Sequence, residues 1–430
     1  MPSYPSFSFR ALCKRLLPIP NSMYPIVVAL LIIHSFWMYY DIAITSHQRH
    51  RPKRKPIRVT ESSPLSPYYP PSPGMEYHGY TRAFPVWDHP FPCGHLESEQ
   101  AMRTRAPATE GLFYVRLVEA SSSICSSVTA RIARNAARRQ QQKEQSNHGS
   151  NNITRVCTTR LVSQRARRFS DRLPLKSFLW SVVREPVDRL VSKYNHFDRR
   201  DIRRTTTSNF QNFVLNNERQ DYGYYFRSLN VDRYLNPYNK EHEAHTQEVL
   251  ESYDFLGIAE RMDESLVVLK FILNLEIEDL LYLSAPKANG TTTTRGGSSS
   301  NIDYYENWKK EECRPILTPE VTLEMKEWFH SEEFEAFIEA DVLLYKAANA
   351  SLDKTISEIG RERVEKTVQQ LRWAQRQVEE KCRHVRFPCS SQGEYQKETD
   401  CFLSDIGCGH NCIDTLVGTF RNDDFTSAPA

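Results

Sequence analysis

The stretch from Met23 to Tyr40 carries no Asp, Glu, Lys or Arg, and no other segment constrains the chain more tightly. A bilayer core takes about 20 mostly apolar residues, and the run reaches that length when followed to Ile44. Trp37, Tyr39 and Tyr40 gather toward one end, where an interfacial aromatic belt sits. No small-residue cleavage site follows, so the segment reads as a transmembrane helix over 23–44 rather than a removed leader.

Orientation is contested within the sequence. Arg10, Lys14 and Arg15 precede the segment, whereas Arg49, Arg51, Lys53, Arg54, Lys55 and Arg58 follow it. Charge balance alone favours a cytosolic C-terminal part. The cysteines argue the opposite. Nine of the 10 lie beyond the segment, and Cys382, Cys389, Cys401, Cys408 and Cys412 crowd the C-terminal end with no C-x-x-C pair. That density reads as disulfides in an oxidising compartment. Sequons at Asn152, Asn289 and Asn349 point the same way. The expectation is a single-pass type II protein with its C-terminal part in a lumen. An odd number of lumenal cysteines leaves at least one unpaired, and Cys125 is the candidate.

Residues 1–22 are expected to be a cytosolic tail, 23–44 the anchor and 45–109 a stem rich in Pro, Arg, Ser and Tyr. A globular domain is expected over 110–353, and a long helix with a Cys-rich extension over 354–430. Hydrophobic residues make up 40% and charged residues 25%, enough for a real core. The net charge of +3 argues against a nucleic-acid binder. Positive charge is clustered at Arg131, Arg134, Arg138 and Arg139, and again at Arg165, Arg167, Arg168 and Arg172. Such clusters suit an anionic ligand or simply form solvated helix faces.

Within the domain, strands are expected at Gly111–Leu117, Phe178–Val183 and Asp254–Ala259. Helices are expected at Ser121–Arg139, Pro186–Phe197, Met262–Leu275, within Glu320–Ala348, and over Lys354–Cys382; 140–152 reads as a loop. Strand–helix alternation argues for an α/β fold with a parallel sheet flanked by helices. The strongest chemical signal is Ser181-Val182-Val183-Arg184-Glu185-Pro186-Val187-Asp188-Arg189-Leu190-Val191-Ser192. A buried strand ends, Arg184 emerges at its carboxyl edge, and Pro186 opens a helix whose free amides favour an anion. Arg184 can grip a phosphate bidentately, and Ser192 lies about two turns along the helix. The competing reading is a surface salt bridge from Arg184 to Glu185 or Asp188. No G-x-x-x-x-G-K-[ST] string is present, which argues against a P-loop nucleotidase or kinase.

This string resembles the 3′-phosphate motif of sulfotransferases that use PAPS (3′-phosphoadenosine 5′-phosphosulfate), and the chain looks most like the Golgi membrane carbohydrate sulfotransferases. The resemblance implies that Arg184 and Ser192 hold the 3′-phosphate, with Arg189 at a further basic position. Tyr253–Leu269, with Asp263-Glu264-Ser265-Leu266 inside it, is similar to a segment of the galactose sulfotransferase branch. The 5′-phosphosulfate loop then falls at Ala120, Ser121, Ser122 and Ser123, after the first strand. This loop is divergent, because Glu119 stands where the family carries a Lys, and a carboxylate there is expected to repel the donor. Arg116 is the candidate to replace the missing charge. A general base is needed for the acceptor hydroxyl, and His196 is the candidate. The resemblance implies a sulfotransferase-type P-loop-like sheet and sulfate transfer from PAPS, by in-line displacement without a metal. The acceptor would be a hydroxyl of a glycolipid, glycoprotein or polysaccharide in the Golgi lumen. The alternative is a catalytically degenerate, lumenal glycan-binding or scaffolding protein.

Overall fold

Ser177–Val183 is buried along its whole length, and a strand buried on both faces belongs at the centre of a parallel sheet. The computed structural model describes residues 77–93, 96–98, 109–145, 155–162, 165–198, 206–217, 221–231, 241–284, 303–307, 310–316, 321–404 and 406–418. The proposed anchor at 23–44 and the sequons at Asn152 and Asn289 lie outside these residues. No helix among the described residues is long and apolar enough to cross a membrane.

In chain order the elements are β1 (Leu96–Ser98), β2 (Gly111–Val115), α1 (Ser122–Gln145), β3 (Arg155–Cys157), β4 (Thr159–Val162), β5 (Ser177–Val183) and α2 (Pro186–Lys193). There follow α3 (Thr207–Asn216), α4 (Tyr224–Leu229), α5 (His242–Ser252), β6 (Phe255–Ile258), α6 (Met262–Leu273), β7 (Asp303–Asn307) and β8 (Glu312–Ile316). The chain continues through α7 (Leu323–Phe329), α8 (Glu332–Ile359), α9 (Arg361–Lys381) and α10 (His410–Val417). The main sheet runs β4-β2-β5-β6 with every pairing parallel. From β2 the chain crosses through α1 to β4 on one side, and from β5 it passes on to β6 on the other. The crevice between the carboxyl ends of β2 and β5 is therefore the switch point, where open α/β sheets bind ligands. Two antiparallel pairs, β1–β3 and β7–β8, lie outside this sheet.

Leu112–Val115, Phe178–Trp180, Phe255 and Leu256 are buried in one continuous core with α6, α8 and α9. Each such side chain contributes roughly 1.5–3 kcal/mol by leaving water. Gly257 allows β6 to approach α6, since a Cβ there would lie 2.9 Å from the Ser265 Cβ. The Ser265 hydroxyl accepts from the Ile258 amide at 2.8 Å, Arg372 pairs with Asp263 and Arg261 pairs with Glu264. The Asp-Glu-Ser-Leu string thus fastens α6 to its strand and neighbours.

Several expectations needed revision. The loop expected from residue 140 is helical as far as Gln145. The helix expected over Lys354–Cys382 is two helices, because α8 stops at Ile359 and Gly360 turns the chain at φ 101°. Residues 77–93, assigned from sequence to the stem, are packed on the domain. Phe84 stacks edge-on to Phe255 at 5.4 Å, Trp87 does the same to Phe178 at 5.6 Å, and Cys93 is bonded to Cys157. The sequon at Asn349 lies within α8, where Asn349 accepts from Arg261 at 2.8 Å and Ser351 is buried, so it is no glycan acceptor in the folded chain.

Among the described residues the cysteines pair as Cys93–Cys157, Cys313–Cys389, Cys382–Cys412 and Cys401–Cys408, leaving Cys125 free and buried, as expected. The first arginine cluster serves the C-terminal extension rather than a ligand. Arg131 and Arg138 hold Asp414 at 2.9 and 2.6 Å, and Arg139 holds Asp279 at 3.0 Å. In the second cluster Arg172 pairs with Asp254 at 2.8 Å, while Arg165, Arg167 and Arg168 are exposed.

His410 opens α10 inside this arginine cluster. Burial first, and then Arg131 and Arg134, drive its imidazole down to about 3 from an ordinary 6.5. The unfolded chain therefore binds a proton that the folded chain refuses, and stability is lost as pH falls below 6.5. Thermal melts between pH 7 and about 4 should show this loss, and His410→Asn should flatten it.

Candidate active site

The loop from Arg116 to Ser121 joins β2 to α1 at the switch point. Glu119 and Ser121 are both left-handed, at φ 61° and 54°. Left-handed residues in a tight loop are what a nest of backbone amides requires, and such nests bind anions. Ala120 is fully buried and contributes backbone only. Ser121 and Ser123 are half-buried at the loop's end, and Ser122 begins α1.

Across the crevice, β5 ends and Arg184 turns toward this loop, donating from Nη1 to the Glu119 carbonyl at 3.1 Å. Its Nε lies 4.0 Å from Glu260, beyond the end of β6. The salt bridges to Glu185 or Asp188 considered from sequence are not what occupies Arg184. Glu185 instead caps α2, accepting from the Asp188 amide at 2.7 Å.

Ser192 and His196 are four residues apart and project to the same side of α2 and the π turn that continues it (Tyr194–Asp198). Both meet the Glu119 carboxylate. Ser192 donates to Oε2 at 2.6 Å, and His196 Nδ1 lies 3.1 Å from Oε1. Burial alone would raise the Glu119 carboxyl, but His196, Ser192 and Arg184 outweigh it and hold the group below its ordinary value. It is therefore an anion at neutral pH. Glu119, in the position expected to repel the donor, has turned away into its own set of donors. Arg116 is half-buried at the start of the loop, and Arg184 bonds to the loop from across the crevice.

Arg189 has a different role from the one its position in the motif implies. Its side chain is fully buried, 3.4 Å from Asp221 and 3.9 Å from Asp341, with its guanidinium 4.1 Å above the Tyr224 ring. A group enclosed this way cannot reach a ligand. It positions α4 instead. Asp341 accepts from the Tyr224 and Tyr225 amides at 3.2 and 2.9 Å, capping the helix start. The two tyrosine hydroxyls then reach the two halves of the site. Tyr224 accepts from the Val118 amide at 2.9 Å, and Tyr225 bonds to both the amide and the carbonyl of Arg184. Sequence reasoning missed this pair, since Gly223-Tyr224-Tyr225 carries no periodic or motif signal. Glu260, which the sequence places only within the Tyr253–Leu269 resemblance, accepts from the Glu185 amide at 2.9 Å and from Tyr345 at 3.2 Å.

Residues 109–327, half of the chain, match the family model described as the sulfotransferase family. The chain is a member of the sulfotransferase family. No curated protein matches it. Membership implies sulfate transfer with PAPS as donor, and the matched region contains β2, α1, β5, α2, α4 and β6, whereas Asp341 and Tyr345 on α8 lie beyond it. A sulfotransferase must hold two anionic ends of its donor. The crevice brings together the Arg184 guanidinium, the Ser192 hydroxyl and the left-handed loop before α1, with the Glu119 carboxylate between them and Glu260 4.0 Å from Arg184.

Two measurements check this arrangement. Arg189→Ala leaves Asp221 and Asp341 without their buried cation, and should cost about 3–5 kcal/mol of unfolding free energy in denaturant titrations. Glu185 is raised to about 7, chiefly by burial and then by the Asp188 and Glu260 charges, against hydrogen bonds from the Asp188 and Val187 amides. The folded state thus keeps a proton that the unfolded chain has released, so this group removes stability as pH rises from 4.5 to about 7. Glu185→Gln, which can still cap α2, should raise the melting temperature at pH 7.5 and leave it unchanged near pH 4.

Proposed function

We propose that this sulfotransferase moves the sulfuryl group of PAPS onto a carbohydrate hydroxyl in the Golgi lumen, held there by a type II anchor at 23–44. The observation that carries the donor half is the convergence of Arg184, Ser192 and His196 on one residue at the switch point, Arg184 on the Glu119 carbonyl and the other two on its carboxylate. A crevice that already stabilises an anion with a guanidinium nearby and a hydroxyl in contact suits a phosphate. Arg184 and Ser192 would take the 3′-phosphate, while the amides of Ala120 to Ser123 at the start of α1 would take the 5′-phosphosulfate.

His196 is assigned as the base that accepts the acceptor's proton. In the donor-free protein Nδ1 donates to Glu119, which leaves the basic lone pair on Nε2. The oxygen of the acceptor attacks sulfur, the bond from sulfur to the phosphate oxygen breaks, and the hydroxyl proton passes to the base.

Four disulfides among the described residues support an oxidising compartment, and hence the lumen. The galactose preference suggested by Asp263-Glu264-Ser265-Leu266 has weaker support, because those side chains are engaged in fastening α6. A glycan hydroxyl is therefore the acceptor class proposed here, and the particular sugar is left to a panel of glycolipids, glycoproteins and polysaccharides.

The decisive test is binding of PAP, the desulfated donor, by calorimetry. Wild-type protein should bind it, and Arg184→Ala should weaken binding by roughly 100-fold, as for loss of a charged hydrogen-bonding partner. His196→Ala should retain PAP while lowering the rate of labelled sulfate transfer by about 10²–10⁴-fold. Absence of PAP binding by a well-folded wild-type sample would overturn the proposal.

A further inference from the structure

Glu119 occupies the point where the proposed donor would have to make its contacts. A serine hydroxyl carries a single proton, and that of Ser192 is spent on Glu119 Oε2 at 2.6 Å. Arg184 is turned to the same residue, donating to its carbonyl at 3.1 Å. His196 completes the grip on the other carboxylate oxygen at 3.1 Å. The side chain of Glu119 is only 14% exposed, so water does not screen these contacts as it does a surface pair. The backbone carries a cost as well. Glu119 is a non-glycine residue held at φ 61°, a strained conformation that persists only where surrounding contacts enforce it. The contacts of its own carboxylate and carbonyl do so together with the Tyr224 hydroxyl on the Val118 amide.

We infer that Glu119 is a latch: in the donor-free protein its carboxylate occupies the 3′-phosphate subsite, closing the loop onto α2, and the donor binds by displacing it. The inference rests on the donor site proposed above. Ser192 can serve the carboxylate or a phosphate, but not both. Two anions side by side in this crevice would repel, so phosphate entry requires Glu119 to withdraw. A nucleotide lacking the 3′-phosphate has no group to exchange for the carboxylate and leaves the latch shut. The latch therefore lowers apparent affinity by the fraction of molecules that are open, and it does so only for nucleotides whose 3′-phosphate must displace the carboxylate.

The test uses the full chain purified in detergent and PAP as the probe, with 5′-AMP as the nucleotide lacking a 3′-phosphate. Glu119→Gln removes the charge while keeping the side-chain shape. Glu119→Gly removes the side chain and accepts the left-handed backbone without strain, so it separates the carboxylate from loop folding. Both variants should bind PAP about 10–100-fold more tightly than wild type, corresponding to a wild-type site open in roughly 1–10% of molecules. The ratio of PAP to 5′-AMP affinity should grow in both, because 5′-AMP has no 3′-phosphate to gain from an opened latch. Without ligand, hydrogen exchange over residues 116–123 should be faster in Glu119→Gln than in wild type. Wild-type binding of PAP that both variants leave unchanged or weaken would overturn the latch while the donor site stands. Failure of every folded form to bind PAP would overturn the donor site, and the latch with it.

Discussion

The crevice depends on a buried charge cluster that itself touches no ligand. Arg189 lies between Asp221 and Asp341 with its guanidinium over Tyr224, and Lys193 closes the cluster at 2.8 Å from Asp221. An ion group taken out of water survives only when its partners are close and its remaining polar atoms are engaged. The energetic penalty for displacing any member is what fixes α4 against α2 and α8. Because Tyr224 and Tyr225 stand at the start of α4, their hydroxyls are delivered to two loops that are distant in sequence. One secures the loop after β2 and the other secures the end of β5. The spacing of the proposed donor subsites is therefore set by a helix whose own sequence carries no motif.

The C-terminal extension is bound by the same logic of local charge with apolar backing. Asp414 on α10 meets Arg131, Arg134 and Arg138 on α1, while Ile413 and Cys408 enter the main hydrophobic core. The Cys382–Cys412 bond ties the end of α9 to α10. Since α1 is the helix that opens at the phosphate loop, the extension buttresses the far part of the element whose first turn forms the site. A cluster of arginines that resembles a ligand site in the sequence is a structural dock, because a carboxylate from nearly 300 residues away satisfies it.

Glu119 illustrates how a residue's position and its chemistry can disagree. In sequence it occupies the place of a cation that would assist the leaving phosphate, and a carboxylate there opposes an anionic donor. In the folded chain the left-handed backbone directs it to Ser192 and His196, so its charge is met by hydrogen-bond donors within the protein. The same contacts that make the loop tolerable in the free protein make it a competitor for the donor. The cation at the loop comes instead from Arg184, which belongs to a different strand.

The sequence by itself determined the parallel α/β sheet, the unpaired cysteine, and the pairing of a strand-end arginine with a serine two turns along a helix. These are local or periodic properties: strand burial repeats along a segment, a proline marks a helix start, and an odd cysteine count needs no geometry. Resemblance located the loop at Ala120 to Ser123, and the family model covers the same region. Only the tertiary structure decided that Arg189 is interior, that the arginines of α1 hold Asp414, and that Tyr224 and Tyr225 join the two halves of the site. It likewise decided that Glu119 faces Ser192 and His196. Each of these depends on which residues distant in the chain come within a few ångströms, and on the cost of leaving a charge unpaired away from water. A pattern along the chain encodes which face is buried, whereas the partner of a buried charge is chosen by the packing of elements that the pattern does not rank.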